Sequence, residues 1–366
     1  MNRLKELDFL RGIAIILVML RHKYISEYTT NMGWIGVDLF FVLSGFLVSG
    51  LLFREYIKFG NIEPKRFLIR RGFKIYPIYF ISYPLYLLPI LLFEKFKLPD
   101  FLSDMTFTQN YYRGWGYANL ASWSLAIEEH FYFLFAILLF LGLKYKKIIL
   151  EKSKEIKNKR SSMEVIIVLT FIICLMLRIH SNIVFHDQIL KNITMTHLRM
   201  DSLLAGTFIA YLYYFRINFL TNIFQSNKYL LGIIAFLGLS WTPFVDLENS
   251  FFAKTFGFTL LYISFGLTLI FFLLTGNINQ KLNTFFSTIL VNGISKIGKY
   301  SYSIYIIHSF IIRWFQQFTA TFQTDFHIYW NFLITSTLSI FIGMLMTNTI
   351  ENYFLKIRDQ YFPSRV

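Results

Sequence analysis

Long apolar runs, broken by short groups of charged or turn-forming residues, follow one another along almost the whole chain. A helix needs about 20 apolar residues to cross the hydrocarbon core of a bilayer, and most of the runs approach that length. The pattern therefore predicts an all-α, polytopic membrane protein built as a bundle of about ten transmembrane helices. The predicted helices cover residues 7–23, 33–53, 74–93, 120–143, 163–180, 197–215, 229–245, 253–275, 299–318 and 328–350.

The composition agrees with a membrane protein. Of the 366 residues, 55% are hydrophobic and 16% are charged, whereas about 25% of residues are charged in a soluble domain. Ten spans and their loops account for the full length, so we expect one membrane-embedded domain over residues 1–366 and no additional soluble domain. The first run lacks a signal-peptide cleavage site and is predicted to be retained as a helix. The single cysteine, Cys174, excludes a disulfide or a cysteine metal cluster, and it is expected to be a packing residue.

The basic residues are unevenly distributed between the loops. If both termini are cytoplasmic, 26 of the 36 Lys and Arg residues fall in cytoplasmic loops and tails, which is the bias that membrane proteins show. The largest groups lie in residues 54–74 and 144–160, and the second is predicted to be a solvated basic segment facing lipid headgroups. Orientation and lipid contact thus account for the net charge of +15, and we expect no nucleic-acid partner.

Ionisable side chains within apolar runs cost several kcal/mol and usually mark function. Arg11 and His22 are 11 residues apart, which places them within about 20° on one helix face and about 16 Å apart along the axis. An interfacial His22 whose polar tip reaches water is the alternative. Asp38, near the outer end of the second helix, requires a partner. Small residues on that helix favour close helix packing: Gly33, Gly36, Ser44, Gly45, Ser49 and Gly50.

Five cations lie within ten residues in the inner loop that leads into the third helix: Lys65, Arg66, Arg70, Arg71 and Lys74. Anchoring on the cytoplasmic side is one explanation for them. A cradle for the phosphates of a cytoplasmic donor is the other, because Arg binds phosphate bidentately and Lys binds it as a point charge.

The fourth helix carries the segment around Trp123. Its Ser124 and Glu128 lie one turn apart, so they are predicted to line one cavity. Glu129 and His130 point elsewhere and are predicted to be interfacial or structural residues.

Two later helices also carry polar positions. Arg199 and Asp201 open the sixth helix, where an ion pair, within the helix or across the bundle, is expected. In the ninth helix Ser301, Tyr305 and His308 form a polar stripe, in which His308 can instead hydrogen-bond a neighbouring helix.

Aromatic residues near the predicted outer ends are typical of an interfacial belt, although their rings also suit the faces of sugars: Trp34, Tyr111, Tyr112 and Trp115. The sequence contains no Gly-rich phosphate loop, His-Glu-x-x-His, paired CxxC motif or nucleophile elbow. We therefore expect no metal site.

Six of these segments, in the same order, resemble the integral-membrane acyltransferase family 3, which modifies bacterial surface glycans. They are LDFLRGIAIILVMLRH, GVDLFFVLSGFLVS, RRGFKIYP, SWSLAIEEHFYF, HLRMDSLLAG and SKIGKYSYSIYIIH. The resemblance implies a multi-pass enzyme of the bacterial inner membrane that moves an acyl group, commonly acetyl, from cytoplasmic acyl-CoA to a glycan hydroxyl. The implied partners are membrane lipid, acyl-CoA as co-substrate, and a cell-surface or lipid-linked glycan, with no permanently bound cofactor.

The resemblance also implies that Arg11 and His22 form the essential pair of the first helix. The family's Arg-x-x-Arg motif falls on Arg71 and Lys74, so a Lys stands at its second position. We predict that Arg70, Arg71 and Lys74 hold the headgroup phosphates of acyl-CoA, and that Arg11 guides the pantetheine arm towards His22.

His22 is predicted to act as a general base or as a transient acyl carrier, with its ring oriented by Asp38 or Glu128. The rival class is a transporter or flippase of lipid-linked sugars, in which intramembrane charges line the path. A membrane-bound O-acyltransferase for lipids or proteins is a further alternative, but that class lacks the spacing of Arg11 and His22.

Overall fold

The computed structural model describes residues 5–22, 25–148, 150, 162–324 and 326–366. All regular secondary structure in these ranges is helical. The α-helices are α1 (Lys5–Arg21), α2 (Glu27–Gly33), α3 (Ile35–Phe59), α4 (Pro64–Phe93), α5 (Leu98–Met105), α6 (Gln109–Tyr112), α7 (Trp123–Lys144), α8 (Ser162–Val184), α9 (Ile189–Thr194), α10 (Thr196–Phe215), α11 (Ile217–Ser240), α12 (Phe258–Leu274), α13 (Ile278–Phe286), α14 (Thr288–Lys299), α15 (Ser301–Thr321), α16 (Ile328–Met346) and α17 (Asn352–Tyr361). Short 3-10 turns at Leu120–Ser122 and Thr242–Phe244, and π-helical segments at Ala253–Gly257 and Thr347–Glu351, adjoin them.

Each of the ten predicted helices has a helical counterpart: α1, α3, α4, α7, α8, α10, α11, α12, α15 and α16. Helix α4 begins ten residues before its predicted start because Pro64 occupies the first helical turn, where a missing N–H is tolerated. The predicted basic segment 144–160 lies mostly outside the described residues, as does Lys23 at the predicted end of the first helix.

The protein is a multi-span membrane protein. Six helical segments of the described chain are long and apolar enough to cross a bilayer, and a seventh is formed if Ile189–Phe215 and Ile217–Phe244, which meet at a bend of 107°, count as one span. Helices α1 and α15 are not among the six. Both carry candidate site residues, and a helix that contributes polar side chains to a bundle interior has a lower hydropathy than one that faces lipid.

Helix α3 lies at the centre of the bundle, and glycines allow its neighbours to approach closely. A Cβ on Gly45 would lie 1.9 Å from the carbonyl oxygen of Leu203 in α10, and one on Gly206 would lie 2.0 Å from that of Val42. The packing role predicted for Gly45 is confirmed. Helix α1 is held against α14 in the same way, since a Cβ on Gly298 would lie 1.8 Å from the carbonyl oxygen of Asp8. These contacts fix α1, which carries Arg11 and ends just before His22, and α3, which carries Asp38.

Candidate active site

Three cavities follow one another through the bundle. The central cavity has a volume of about 140 Å³ and is lined by residues of α1, α3, α4, α7 and α15. The basic cavity shares Arg71 and Lys74 with the central cavity. The aromatic cavity, on the other side, shares Val37 and Tyr305 with it. The shared residues make a row that runs from a cluster of cations to His22.

A hydrogen-bonded carboxylate lies in the central cavity. Glu128 accepts hydrogen bonds from the Ser44 hydroxyl at 2.9 Å and from the Tyr132 hydroxyl at 2.7 Å. One turn earlier, Ser124 shares a hydrogen bond of 2.6 Å with the Tyr305 hydroxyl. Ser124 and Glu128 both line the cavity, so the prediction that they share one is confirmed.

The central cavity carries more positive than negative charge. Arg11, Arg71 and Lys74 line it, and Glu128 is the one carboxylate among its described lining residues. The guanidinium carbon of Arg71 lies 4.6 Å from the ring centre of Tyr132, and its buried Nε has no hydrogen-bond partner in the described structure. Such a site favours an anionic group or a carbonyl oxygen that gains negative charge.

Lys74, at the junction of the central and basic cavities, already has an anionic partner. Its ammonium group forms a salt bridge with Glu351, a buried residue of the π-helical segment after α16. This salt bridge connects α4 to the segment after α16. Lys74 therefore has a structural role in addition to any contact with a ligand.

The basic cavity is crossed by the segment Phe362–Val366, here named the C-terminal segment. Arg70 donates to the carbonyl oxygen of Phe362 and pairs with Asp359 at 3.1 Å. Arg365 pairs with Glu55. The predicted phosphate-binding residue Arg70 thus faces protein acceptors in this structure, so a phosphate would have to compete with them.

His22 lies just beyond the end of α1, exposed along the aromatic cavity rather than deep in the bundle. Its ring centre is 5.1 Å from that of His308. His308 is fully buried, and its Nδ1 is 2.6 Å from the carbonyl oxygen of Tyr305. The predicted bond from His308 to a neighbouring helix is therefore replaced by one within α15. Its Nε2 has no hydrogen-bond partner among the described residues.

Asp38 has a different partner from the one expected. Its carboxylate accepts hydrogen bonds from Arg199 at 2.6 Å and from Ser202 at 3.3 Å. No contact in the described part of the chain joins Asp38 to His22, so the structure replaces the predicted orienting role with an ion pair. Glu128, the other predicted orienting residue, contacts Ser44 and Tyr132 instead.

Arg199 and Asp201 do not pair with each other within α10. The prediction of an ion pair across the bundle is confirmed, because each residue pairs with another helix. Arg178 of α8 donates to Asp201 at 2.6 Å, and all the charged groups of this set are fully buried or nearly so. The guanidinium carbon of Arg199 lies 3.5 Å from the ring centre of Phe258 in α12. We name Asp38, Arg178, Arg199 and Asp201 the paired cluster.

The remaining polar predictions fall at helix contacts and cavity walls. Tyr76 donates to Glu129 at 2.7 Å, and His130 shares a hydrogen bond of 2.7 Å with Thr196. The structural role predicted for Glu129 and His130 is thereby confirmed. Ser301 lines the central cavity, and Trp123 lines the aromatic one.

Several residues of the site were missed by sequence reasoning: Ser44, Tyr132, Arg178 and Glu351. Arg178 could have been found, since it is an ionisable residue within an apolar run, which is the signal that identified Arg11. Ser44 was assigned only to helix packing. In the described residues, no group of three or more His, Cys, Asp or Glu side chains could hold a metal ion.

Comparison with known proteins shows which family of sequences this chain matches. A family model described as an acyltransferase domain matches residues 4–348. A protein of Staphylococcus aureus named "Putative O-acetyltransferase" is 27% identical over 391 residues, which cover 99% of this chain and 60% of that protein. The peptidoglycan O-acetyltransferase OatA of Listeria monocytogenes is 31% identical over 157 residues, covering 39% of this chain and 25% of that protein.

The chain spans about three fifths of the length of the S. aureus relative. No solved structure significantly matches this chain.

Proposed function

We propose that this chain, which belongs to the acyltransferase family matched over residues 4–348, transfers an acyl group, acetyl in the first instance, from cytoplasmic acyl-CoA to a hydroxyl of a cell-surface or lipid-linked glycan. The observation that supports this proposal most directly is the row of three cavities. It begins among Arg and Lys side chains and ends at His22. A donor with an anionic headgroup and a long neutral arm fits this order of environments.

The proposal includes an orientation in the bacterial inner membrane. The six apolar segments, together with α1, α10, α11 and α15, make ten spans, and both termini are cytoplasmic. The basic cavity then faces the cytoplasm, where the donor is, and His22 faces the outer surface. A cysteine introduced at Ser364 in a Cys174→Ser background should react with an impermeant maleimide only in inverted vesicles. One introduced at Tyr112 should react only in intact cells, and any other combination contradicts the orientation.

The donor is proposed to bind with its phosphates in the basic cavity, on Arg70, Arg71 and Lys74. Arg binds phosphate through two parallel hydrogen bonds, and each such charge-assisted bond is stronger than a neutral one. Arg11 lines the central cavity beyond them and would guide the arm. The C-terminal segment must move from Arg70 to make room for the headgroup.

The chemical step is proposed to take place beside His22. The imidazole takes the proton of the acceptor hydroxyl while that oxygen forms a bond to the thioester carbonyl carbon. The carbon–sulfur bond then breaks, and the thiolate of CoA takes the proton from the imidazolium. In the second version the imidazole nitrogen attacks the thioester carbonyl carbon, the carbon–sulfur bond breaks, and the thiolate of CoA leaves with the imidazole proton. The acceptor hydroxyl then forms a bond to the acyl carbon while the carbon–nitrogen bond breaks, and the imidazole takes the hydroxyl proton.

The test is acyl transfer by the purified protein in vesicles, with labelled acetyl-CoA on the basic side and glycan chains released from peptidoglycan on the other. Wild type should form base-labile O-acetyl esters, and His22→Ala should lower the rate by about 10²–10⁴-fold. His186→Ala, which changes an exposed histidine outside the cavities, is the matched control. Movement of sugar without ester formation would favour the transporter, and a fully active His22→Ala protein would remove His22 from the mechanism.

A further inference from the structure

The aromatic cavity has features that the transfer of an acyl group does not itself require. Its described lining residues include three indole rings, those of Trp34, Trp115 and Trp123, beside His22. Aromatic faces next to a base are suited to a ligand that has both C–H faces and hydroxyl groups. A sugar ring has both.

Trp34 lines this cavity and has a hydrogen-bond donor that no described residue accepts. The residue is 7% exposed, and its Nε1 is buried without a hydrogen-bond partner among the described residues. Buried indole N–H groups usually have a partner, because an unsatisfied donor costs about 1–3 kcal/mol. The ring itself is fixed by Trp241 and by Phe258, whose ring centres lie 6.2 and 5.6 Å away. A ligand oxygen in the cavity would supply the missing acceptor.

Trp115 is presented by a loop whose backbone is tightly constrained. Gly114 has a φ of +90°, which favours glycine. A Cβ on Gly116 would lie 2.0 Å from the carbonyl oxygen of Asn119. The Trp115 ring packs edge-on against Trp123, with ring centres 5.8 Å apart. Such a ring is held in position before any ligand arrives, which lowers the entropy cost of binding.

Asp104, in the outer helix α5, fixes the next residues of the same loop. Its buried carboxylate accepts hydrogen bonds from the backbone N–H groups of Tyr117 at 2.9 Å and Ala118 at 3.0 Å, and from the Tyr83 hydroxyl at 2.8 Å. Burial raises the pKa of the Asp104 carboxyl above its ordinary value despite these donors. The loop that carries Trp115 is therefore built on a buried polar anchor.

The charge of the cavity indicates a neutral ligand. Arg21 is the one Arg or Lys among its described lining residues, and Arg21 already pairs with Glu248 at 3.0 Å and donates to the carbonyl oxygen of Thr30. A phosphate or carboxylate would thus have no unpaired Arg or Lys among them. The basic cavity differs in this respect, since several Arg and Lys side chains line it.

We propose that the aromatic cavity is the acceptor subsite: one neutral pyranose ring lies against Trp115, accepts a hydrogen bond from Trp34 Nε1 through a ring or hydroxyl oxygen, and thereby places another hydroxyl at His22. This inference rests on the proposed function for the identity of the reaction. The contacts with the sugar do not depend on the chemistry, and they can be measured without acyl-CoA.

The first measurement is equilibrium binding of the N-acetylglucosamine tetramer to the detergent-solubilised full chain. Trp115→Ala should weaken binding by about tenfold, and Trp115→Phe should weaken it less because a stacking face remains. Trp34→Phe keeps a ring but loses the N–H, and it should weaken binding by about fivefold. Tyr112→Ala, in the same outer segment but outside the three cavities, should leave it unchanged.

The second measurement is acyl transfer to glycan chains released from peptidoglycan. Trp115→Ala and Trp34→Phe should raise KM for the chains by the same factors while KM for acetyl-CoA stays within about twofold, since the donor cavities are unchanged. A size-exclusion profile of each variant shows whether it is folded. Trp115→Phe, which keeps a stacking face, shows whether weaker binding follows the ring contact or misfolding.

The outcomes separate the two proposals. Tetramer binding that is weakened in both tryptophan variants supports the subsite, whether or not wild type acylates glycans. If wild type binds the tetramer through the two tryptophans but forms no ester, the proposed function fails and the subsite stands. If wild type acylates glycans but neither substitution alters tetramer binding or KM, the subsite is wrong and the proposed function stands. Absence of tetramer binding by folded wild type also overturns the subsite.

Discussion

Two groups of charged side chains lie in the same bundle, one buried and one lining the central cavity, and their charges are balanced in different ways. In the paired cluster, Asp38 with Arg199 and Asp201 with Arg178 each form a contact of 2.6 Å, so the cations and carboxylates are equal in number. In the central cavity three cations face one lining carboxylate, Glu128. The first group is complete without a ligand. In the second group Lys74 pairs with Glu351, which is not a lining residue, so it is the described lining itself that holds more cations than carboxylates.

The difference separates structural from functional charges more clearly than burial does. Both groups lie where apolar residues would be expected, and both therefore satisfy the rule that ionisable groups in spans are informative. A buried ion pair that connects α3, α8 and α10 fixes helix positions, because breaking it leaves an uncompensated charge. In the proposed function, the cations that line the central cavity instead provide an electrostatic field for the donor.

The largest expected effect is on the paired cluster. Asp38→Ala leaves Arg199 charged and buried, and it should lower the free energy of unfolding by about 3–5 kcal/mol. The measurement is the fraction of monodisperse protein that remains after heating in detergent. Asp38→Ala combined with Arg199→Met should lose less than Asp38→Ala alone, because no charge is then left unpaired. Equal losses in both proteins would show that the pair itself is not what holds these helices.

For Arg71, in the central cavity, we expect a loss of activity and little loss of stability, which is the opposite of what we expect for Asp38. Arg71→Met should lower acyl transfer at low acyl-CoA concentration by about tenfold to a hundredfold, because a charge-assisted hydrogen bond contributes about 1.5–3 kcal/mol. Thermal stability should fall little, since the described contacts of Arg71 include no salt bridge. Lys65→Met, in the same basic run but not among the described lining residues of the central and basic cavities, is the matched control. A large loss of stability with unchanged transfer would place Arg71 among the structural charges.

Lys74 lines the central cavity and also forms a salt bridge with the buried Glu351, so its variants should divide the two effects. Lys74→Met leaves Glu351 buried and unpaired, and it should cost about 1–3 kcal/mol of stability as well as activity. Lys74→Arg keeps the charge and restores the arginine that the family motif has at this position. It should retain stability and bind acyl-CoA at least as tightly, which thermal unfolding and KM measure together. Weaker donor binding in Lys74→Arg would exclude a phosphate contact here.

The smallest expected effect concerns the C-terminal segment. Arg365→Ala removes the salt bridges to Glu55 and Glu63, and partly exposed pairs contribute about 0.2–1 kcal/mol each. The segment should then leave the basic cavity more easily, and KM for acyl-CoA should fall by about twofold. Lys356→Ala, on α17, serves as control. A rise in KM would mean that the segment helps to bind the donor instead of competing with it.

The helices could be predicted from the sequence, but the pairing of their charges could not. Apolar run length locates all ten predicted helices, and the one-turn spacing of Ser124 and Glu128 is enough to place both in one cavity. Arg199 and Asp201 are only two residues apart, yet they pair with different helices. Which helix a side chain meets depends on crossing angles, which here are set by backbone contacts at glycines such as Gly45. Apolar periodicity contains no such information.

The position of Tyr305 bears on how well the bundle prevents leakage of protons across the membrane. With Val37 it lies where the central and aromatic cavities meet, and its hydroxyl is bonded to Ser124 and to the carbonyl oxygen of Ala121. An open aqueous route through the bilayer would dissipate the proton gradient, in which each charge carries about 2.3 kcal/mol per 100 mV. In the proposed function, a tethered aromatic ring at that level would impede ion leakage while an acyl chain passes beside it, and the exterior would be modified without loss of the gradient.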